Sequence, residues 1–358
     1  MILTKKTALY SNCILVKGAS RSVICDLQLQ QMHYIPNSLY ELLENHLGKT
    51  VEDIKKAYNN KYDDIIDSYF QFLEEKDCVF FTEHPERFPK LNMDWDYPHE
   101  ISNAIIDYHS KSSYDIINVL NQLDELKCKS IQIRFFSKIE KEKLTSILSY
   151  LKEKESIIAS VEVYLEVSEW TNKDRLIDII SSYPRVNQCV VHSSTFEDII
   201  DLGNKYLIYT KQKVNSELHC GIISPKYFSI NLKTFTESKN YNSCLNRKVS
   251  VDKEGLIKNC PSMTNDYGSI KNTTLKKVVE SEKFRQIWSI KKDQISICKD
   301  CEFRYVCTDC RAYIEDSKDN FSKPIKCGYN PYTNKWEKWS ENQLKKVAIE
   351  NYGLTEII

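Results

Sequence analysis

The chain has 358 residues, more than a single small core usually holds, so two or three domains are expected. Fifty Lys and Arg offset fifty Asp and Glu, and this formal net charge of zero removes the electrostatic reason for non-specific binding to nucleic acid or a membrane surface. With 8 Gly and neither G-x-G-x-x-G nor G-x-x-x-x-G-K-[ST], a self-contained kinase, P-loop ATPase or Rossmann dehydrogenase is not expected.

No signal-peptide apolar region follows Met1-Ile2-Leu3-Thr4-Lys5-Lys6, and no run reaches the roughly 20 apolar residues of a bilayer span. The expectation is a cytoplasmic chain with no nucleic-acid or membrane partner. Residues 8–17 and 22–27 read as two strands across a Lys17-Gly18-Ala19-Ser20 turn, and Gln31–Ile35 as a third that ends at Pro36. Asn37 or Ser38 should cap a helix over 39–47, stopped by Gly48. Thr50 and Asp53 open a second helix as a capping box. The longest helix, 63–76, gathers Ile65, Ile66, Tyr69, Phe70, Phe72 and Leu73 on a broad apolar face.

Strands followed by three helices over residues 1–90 make a winged-helix-like module. DNA binding is the default reading of such a module, but the charges balance here and no basic stripe is visible. The segment resembles instead the winged-helix leader-recognition element of peptide-modifying systems. That resemblance implies a precursor's leader adding a strand to the edge carrying Gln31, His33 and Ile35. Ile66, Tyr69, Phe70 and Leu73 would wall the adjoining groove, a place in the core being equally open to them.

After the break near Pro85 and Pro89, residues 91–219 alternate helix and strand. Helices are expected at 114–126, 138–152 and Lys173–Ser182, and apolar strands at 130–136, 160–165 and 188–192. Residues 195–202 read as another helix before a strand at Tyr206–Tyr209. This rhythm predicts a parallel sheet with right-handed crossovers, by analogy a degenerate partial (β/α) barrel. Arg134 and His192 fall near C-terminal strand ends, where such folds keep their sites. Each stands alone in the sequence, and a structural role is expected of both.

Thirteen cysteines are unevenly spread. Cys13, Cys25, Cys78, Cys128 and Cys189 are scattered and read as small buried hydrophobes. The other eight crowd residues 220–358, which in a reducing compartment points to metal ligation rather than disulfides. Cys298-x-x-Cys301 and Cys307-x-x-Cys310 are separated by five residues, too few for two knuckles to face each other comfortably across one zinc. The run suits a C-x-x-C-x5-C wrap around one iron–sulfur cluster, with the remaining cysteine directed to another. Upstream, Cys244 is followed after ten residues by Gly255 and after four more by Cys260, across a predicted hairpin that returns Cys260 towards Cys244.

C-x10-G-x4-C, then C-x2-C-x5-C-x2-C, then Cys327 resembles the SPASM domain of peptide maturases. The departure is one residue: Cys307 and Cys310 enclose two residues where the usual pattern has three. The resemblance implies two 4Fe–4S clusters, one on Cys298, Cys301, Cys307 and Cys327, the other on Cys244, Cys260 and Cys310. Cys220 is the candidate fourth ligand of the second; without it that cluster keeps an open iron. Structural Zn2+ in two four-cysteine sites is the alternative. The C-x3-C-x2-C triplet of a radical S-adenosylmethionine core is absent from the sequence, so no S-adenosylmethionine and no adenosyl radical are expected.

Lys258-Asn259-Cys260-Pro261-Ser262-Met263, the residues flanking Cys301–Cys310 and Lys326-Cys327-Gly328-Tyr329-Asn330-Pro331 further resemble the SPASM-domain maturases of grasp-with-spasm systems, which make graspetides. The expected fold class is therefore α/β and multidomain. It combines a winged-helix-like peptide-recognition module (1–90), a degenerate partial (β/α) barrel (91–219) and a Cys-rich SPASM-like domain with a terminal helix (220–358). The implied function is a maturation partner that binds a precursor peptide and presents it to an ATP-grasp ligase. A redox or Lewis-acid peptide-modifying iron–sulfur enzyme is the alternative.

Overall fold

The computed structural model describes residues 5–358; residues 1–4, part of the stretch considered for a targeting signal, lie outside the described residues. The architecture is mixed α/β. The strand expected over 8–17 is two strands, β1 (Lys6–Leu9) and β2 (Cys13–Val16). They are separated by a turn in which the Cys13 N–H donates to Tyr10 O at 2.9 Å. β2, β3 (Ser22–Asp26) and β4 (Gln31–Ile35) form a three-stranded antiparallel sheet with β4 on its edge.

Helices α1 (Asn37–His46), α2 (Val51–Ala57) and α3 (Asp63–Glu75) follow. Pro36, rather than Asn37 or Ser38, occupies the first cap, whereas Thr50 accepts from the Asp53 N–H at 3.1 Å as expected. A strand the sequence did not signal, β5 (Val79–Thr82), returns to pair antiparallel with β1. Its four residues are too few for a period-2 signature to stand out.

Alternation along β3 matters for everything downstream. Ile24 faces a core built from the helices, while Val23 and Cys25 face Phe235, Phe303 and Val306 of the C-terminal half. The small sheet is thus buried on both sides.

β6 (Asn103–Tyr108), α4 (Ile116–Glu125), β7 (Ser130–Phe135), α5 (Lys141–Glu153), β8 (Ser160–Glu166), α6 (Lys173–Ser182) and β9 (Val186–His192) then alternate, each strand parallel to the one before. β6 was not anticipated. The helix expected at 195–202 is instead strand β10 (Asp198–Asp201), paired antiparallel with β11 (Tyr206–Tyr209). A tight turn at Gly203, whose N–H bonds Asp201 Oδ1 at 2.8 Å, and β-branched Ile199 and Ile200 favour the hairpin over one isolated helical segment.

Beyond α7 (Leu232–Asn240), β12 (Lys248–Val251) lies parallel on the outer edge of β6, and β13 (Ile257–Lys258) pairs with it. One eight-stranded sheet, ordered β10-β11-β9-β8-β7-β6-β12-β13, therefore runs across the boundary expected at residue 220. Val119, Leu120 and Leu123 of α4 and Leu144, Leu148 and Leu151 of α5 are buried against it. Each such side chain contributes on the order of 1.5–3 kcal/mol on burial. The cysteine-bearing hairpin is anchored to this rigid layer.

Candidate metal centres and peptide edge

The double C-x-x-C run is shaped by its backbone. Ile297 has φ +66°, a region that a β-branched residue rarely adopts, immediately before Cys298. A 3-10 turn over Cys298–Asp300 follows, and the Cys301 N–H donates to Cys298 O at 3.0 Å. The Cys307 N–H closes a second turn on Phe303 O, also at 3.0 Å. Cys327 arrives from the far side of the domain through a bridge with Ile223. Cys298 lies within reach of the charges of Cys327 and Cys307, and Cys301 within reach of those of Cys298 and Cys307. Burial pushes the Cys298 thiol up to about 12 and raises Cys301 further.

The second group forms around the hairpin β12–β13, which turns at Gly255 and brings Cys260 back beside Cys244. Cys260 hydrogen-bonds Cys220, and this bond, helped by the charges of Arg134, Lys248 and Lys326, holds the Cys220 thiol well below its usual range despite burial. Burial pushes Cys310 up to about 12, with Cys244 and Cys220 as its nearest charged thiols. Gly221 shows how closely the chain passes. A Cβ there would stand 2.7 Å from Cys310 Sγ, and φ is +80°, so only glycine fits. Cys307 and Cys310, three positions apart, thus face different groups. Among the described residues, no three His, Cys, Asp or Glu side chains close to the spacing that holds a single metal ion.

Three lysines reach into these groups. Lys248 Nζ lies 3.5 Å from Cys244 Sγ. Lys292 donates to the carbonyls of Cys307 (2.9 Å) and Thr308 (2.8 Å). Lys326 donates to the carbonyls of Cys220 (2.6 Å) and Leu218. Lys292 and Lys326 are 3% and 1% exposed. No carboxylate of the described residues lies within ion-pair distance of any of the three. Burial pulls the Lys248 and Lys292 ammonium groups down, but thiolate charge, joined by Asp309 at Lys292, outweighs it and raises both. For Lys326 burial wins, lowering it to about 8. Sequence reasoning missed these lysines. Lys326 directly precedes Cys327 and Lys248 follows Cys244 by four residues, which was a signal for both, and nothing marked Lys292.

Arg134 is not alone, as the sequence implied. Its Nε and Nη2 donate to Asp107 Oδ1 and Oδ2 at 2.6 and 2.7 Å, a buried bidentate pair joining β7 to β6 on the side facing Cys220. His192 is buried with Nε2 3.3 Å from Phe135 O and has the structural role expected of it. Glu302 and Asp309 bond to other side chains. Glu302 accepts from Arg21 Nε at 2.8 Å and from the Tyr329 hydroxyl at 2.5 Å, tying the N-terminal sheet to the Cys-rich half. Asp309 pairs with Arg311 at 2.8 Å and accepts from Asn242.

On the N-terminal module, Gln31 is exposed and His33 half-buried on edge strand β4, with the His33 ring edge-on to Phe72 of α3 at 6.4 Å. Ile35, Ile66, Phe70 and Leu73 lie in the module's own core, between 0% and 4% exposed. Of these, Ile66 also lines the cavity beside Tyr69. The stripe packs with Ile24, Leu39, Leu42, Leu43 and Ile54 in that core. Tyr69 is half-buried, its hydroxyl 2.7 Å from Ser38 Oγ, beside a shallow cavity of about 260 Å³ that Tyr58, Tyr62 and Ile65 also line.

No protein-family model matches the sequence, and no curated protein matches it. Seven chains among solved structures match. One is Streptococcus suis SuiB bound to S-adenosylmethionine, with a TM-score of 0.30 and 11% identity over 89% of this chain and 98% of that one. Another is SuiB bound to the precursor peptide SuiA, with a TM-score of 0.29 and 9% identity over 88% of this chain and 98% of that one.

Proposed function

We propose that this chain is a maturation protein of ribosomal peptide natural-product biosynthesis, with a SPASM-like C-terminal domain that holds two 4Fe–4S clusters. Cys298, Cys301, Cys307 and Cys327 would hold one, and Cys220, Cys244, Cys260 and Cys310 the other. The observation that carries the reading is the pairing of each thiol quartet with buried ammonium groups that have no carboxylate within ion-pair distance, Asp309 acting on Lys292 only from further off. An isolated buried cation is costly, and it is sustained only where something nearby is negative. Four metal-bound thiolates around a cluster supply that charge; eight neutral thiols do not. A cluster, when bound, would supply redox capacity or Lewis acidity and would fasten the late segments of the chain together.

The chain's own residues supply the rest. β4 offers unpaired backbone donors and acceptors, with Gln31 and His33 flanking the place where a precursor's leader would add a strand, and Tyr69 at the neighbouring cavity. Docking of the same sheet onto the Cys-rich half holds this edge in fixed relation to the centres, as presentation of a peptide to an ATP-grasp ligase requires. Without the C-x3-C-x2-C triplet, no adenosyl radical is started by this chain.

Iron, acid-labile sulfide and zinc analysis of anaerobically purified protein tests the clusters. About eight iron and eight sulfide per chain are expected for two 4Fe–4S centres. Zinc without sulfide selects the zinc alternative, and neither metal ends the reading. Isothermal titration with the cognate leader peptide tests the partner, and absence of binding by both leader and ligase rejects the presentation role.

A further inference from the structure

The cations around the two thiol groups divide into two kinds. Arg134 faces Cys220 and Cys260, but Asp107 neutralises it at 2.6 Å. Arg311 is paired with Asp309 at 2.8 Å, and Lys345, which donates to Cys327 O, is paired with Glu315 at 3.0 Å. Lys323 is buried on the Tyr329 carbonyl. Lys248, Lys326 and Lys292 are different, because none has a carboxylate within ion-pair distance and each reaches a thiol or the carbonyl of a cysteine. They also sort cleanly. Lys248 faces Cys244, Cys260 and Cys220, Lys326 faces Cys310, Cys220 and Cys260, and Lys292 faces Cys307 and Cys298, with the Arg311-paired Asp309 beyond them.

We propose that Lys248 and Lys326 set the reduction potential of the centre on Cys220, Cys244, Cys260 and Cys310, while Lys292 independently sets that of the centre on Cys298, Cys301, Cys307 and Cys327. This rests on the reading that both quartets hold iron–sulfur clusters. A four-thiolate cluster is already anionic, and reduction adds one electron with no bond made or broken. In a water-poor interior, a fixed ammonium nearby stabilises the more negative state more strongly and raises the potential. Lys248 does so along a direct line to a ligand sulfur, 3.5 Å from Cys244 Sγ. Lys292 and Lys326 do so while clamping the backbone carbonyls of Cys307 and Cys220, which also fixes those ligands in place. These are positioning residues; they act through the thiolates.

The test is an anaerobic titration with sodium dithionite, followed by electron paramagnetic resonance, on the full-length cluster-loaded protein and on Met and Arg replacements of each lysine. Lys248→Met and Lys326→Met should each move one signal to a more negative midpoint and leave the other in place. Lys292→Met should do the reverse, and each Arg variant should restore the wild-type midpoint. Wild-type midpoints in a Met variant with full iron and sulfide overturn the proposal, as does a common shift of both signals in every variant. Should a Met variant fail to load iron, the Arg variant decides. Loading at the wild-type potential supports a role for charge, and failure of both shows that shape alone mattered and overturns it. Wild-type protein without iron and sulfide defeats the underlying assignment before any titration begins, so the two failures are told apart.

Discussion

Two populations of cysteine share this chain and differ in company rather than in depth. Cys25, Cys128 and Cys189 are pushed up to about 12 by burial, as are Cys298 and Cys310, so burial does not separate the groups. On Cys189 burial acts alone, and Cys13 and Cys78 hydrogen-bond each other inside the helical core of the N-terminal module. Six of the eight later thiols, Cys220, Cys244, Cys260, Cys298, Cys307 and Cys310, gather instead around Lys248, Lys292 and Lys326. Buried ammonium neighbours, rather than burial itself, separate the two populations.

Substituting across that divide should give the largest effect. Cys298→Ser or Cys244→Ser should each cost about half of the iron and sulfide, because each disables one of two centres. Cys128→Ser should leave metal content at the wild-type level. Chemical analysis of anaerobically purified variants reads this directly, and equal losses for Cys128 and Cys298 would dissolve the distinction.

The next contrast sets the lysines against the neutralised cation Arg134. Asp107→Asn keeps the shape of the buried pair but strands the guanidinium, and should destabilise the fold by about 3–5 kcal/mol in chemical denaturation. Asp107→Leu combined with Arg134→Met should recover most of that loss, since an apolar pair has no charge to desolvate. A single variant of wild-type stability would mean that Arg134 is balanced by the thiolates after all.

Much of this arrangement was legible in the sequence, and the misses share a cause. Thr50 with Asp53, the hairpin around Gly255 and the helix Lys173–Ser182 appeared where local chemistry placed them, because each depends on contacts within a few residues. β5 and β6 take strand partners from distant segments, as in the pairing of Val79 with Leu9 or Ala104 with Val249. Their own residues carry little of that signal. The apolar stripe Ile66, Phe70 and Leu73 was visible, but its occupant was not, since one periodicity serves core and groove alike. Nothing local to Lys292 announces that its Nζ will meet the carbonyls of Cys307 and Thr308.

The joint between the early and late regions gives a smaller effect. Gly18 packs so tightly on the Cys-rich half that a Cβ would stand 2.9 Å from Glu302 Cβ, and the Glu302 carboxylate is held by Arg21 and Tyr329. Glu302→Gln removes a buried charge-assisted bond and should cost about 1.5–3 kcal/mol. If the N-terminal sheet needs this docking to present its edge, leader affinity measured by titration should fall with stability. Unchanged affinity in a destabilised variant would make the module autonomous.

The smallest effect separates the sheet from both centres. Burial lowers His192 below its ordinary 6.5, only partly offset by its bond to Phe135 O and the charge of Glu166. In the folded chain the ring stays neutral where the unfolded chain has begun to bind a proton. Its contribution is fully present above 6.5 and is lost as the pH falls through the depressed folded value. Stability measured by denaturant should therefore decline on acidification from neutrality, and His192→Gln should flatten that decline while lowering stability at neutral pH through imperfect packing. The slope must persist in protein stripped of metal, because no thiol is among the groups acting on this ring. A slope that vanishes with the metal would place the acid sensitivity in the Cys-rich half instead.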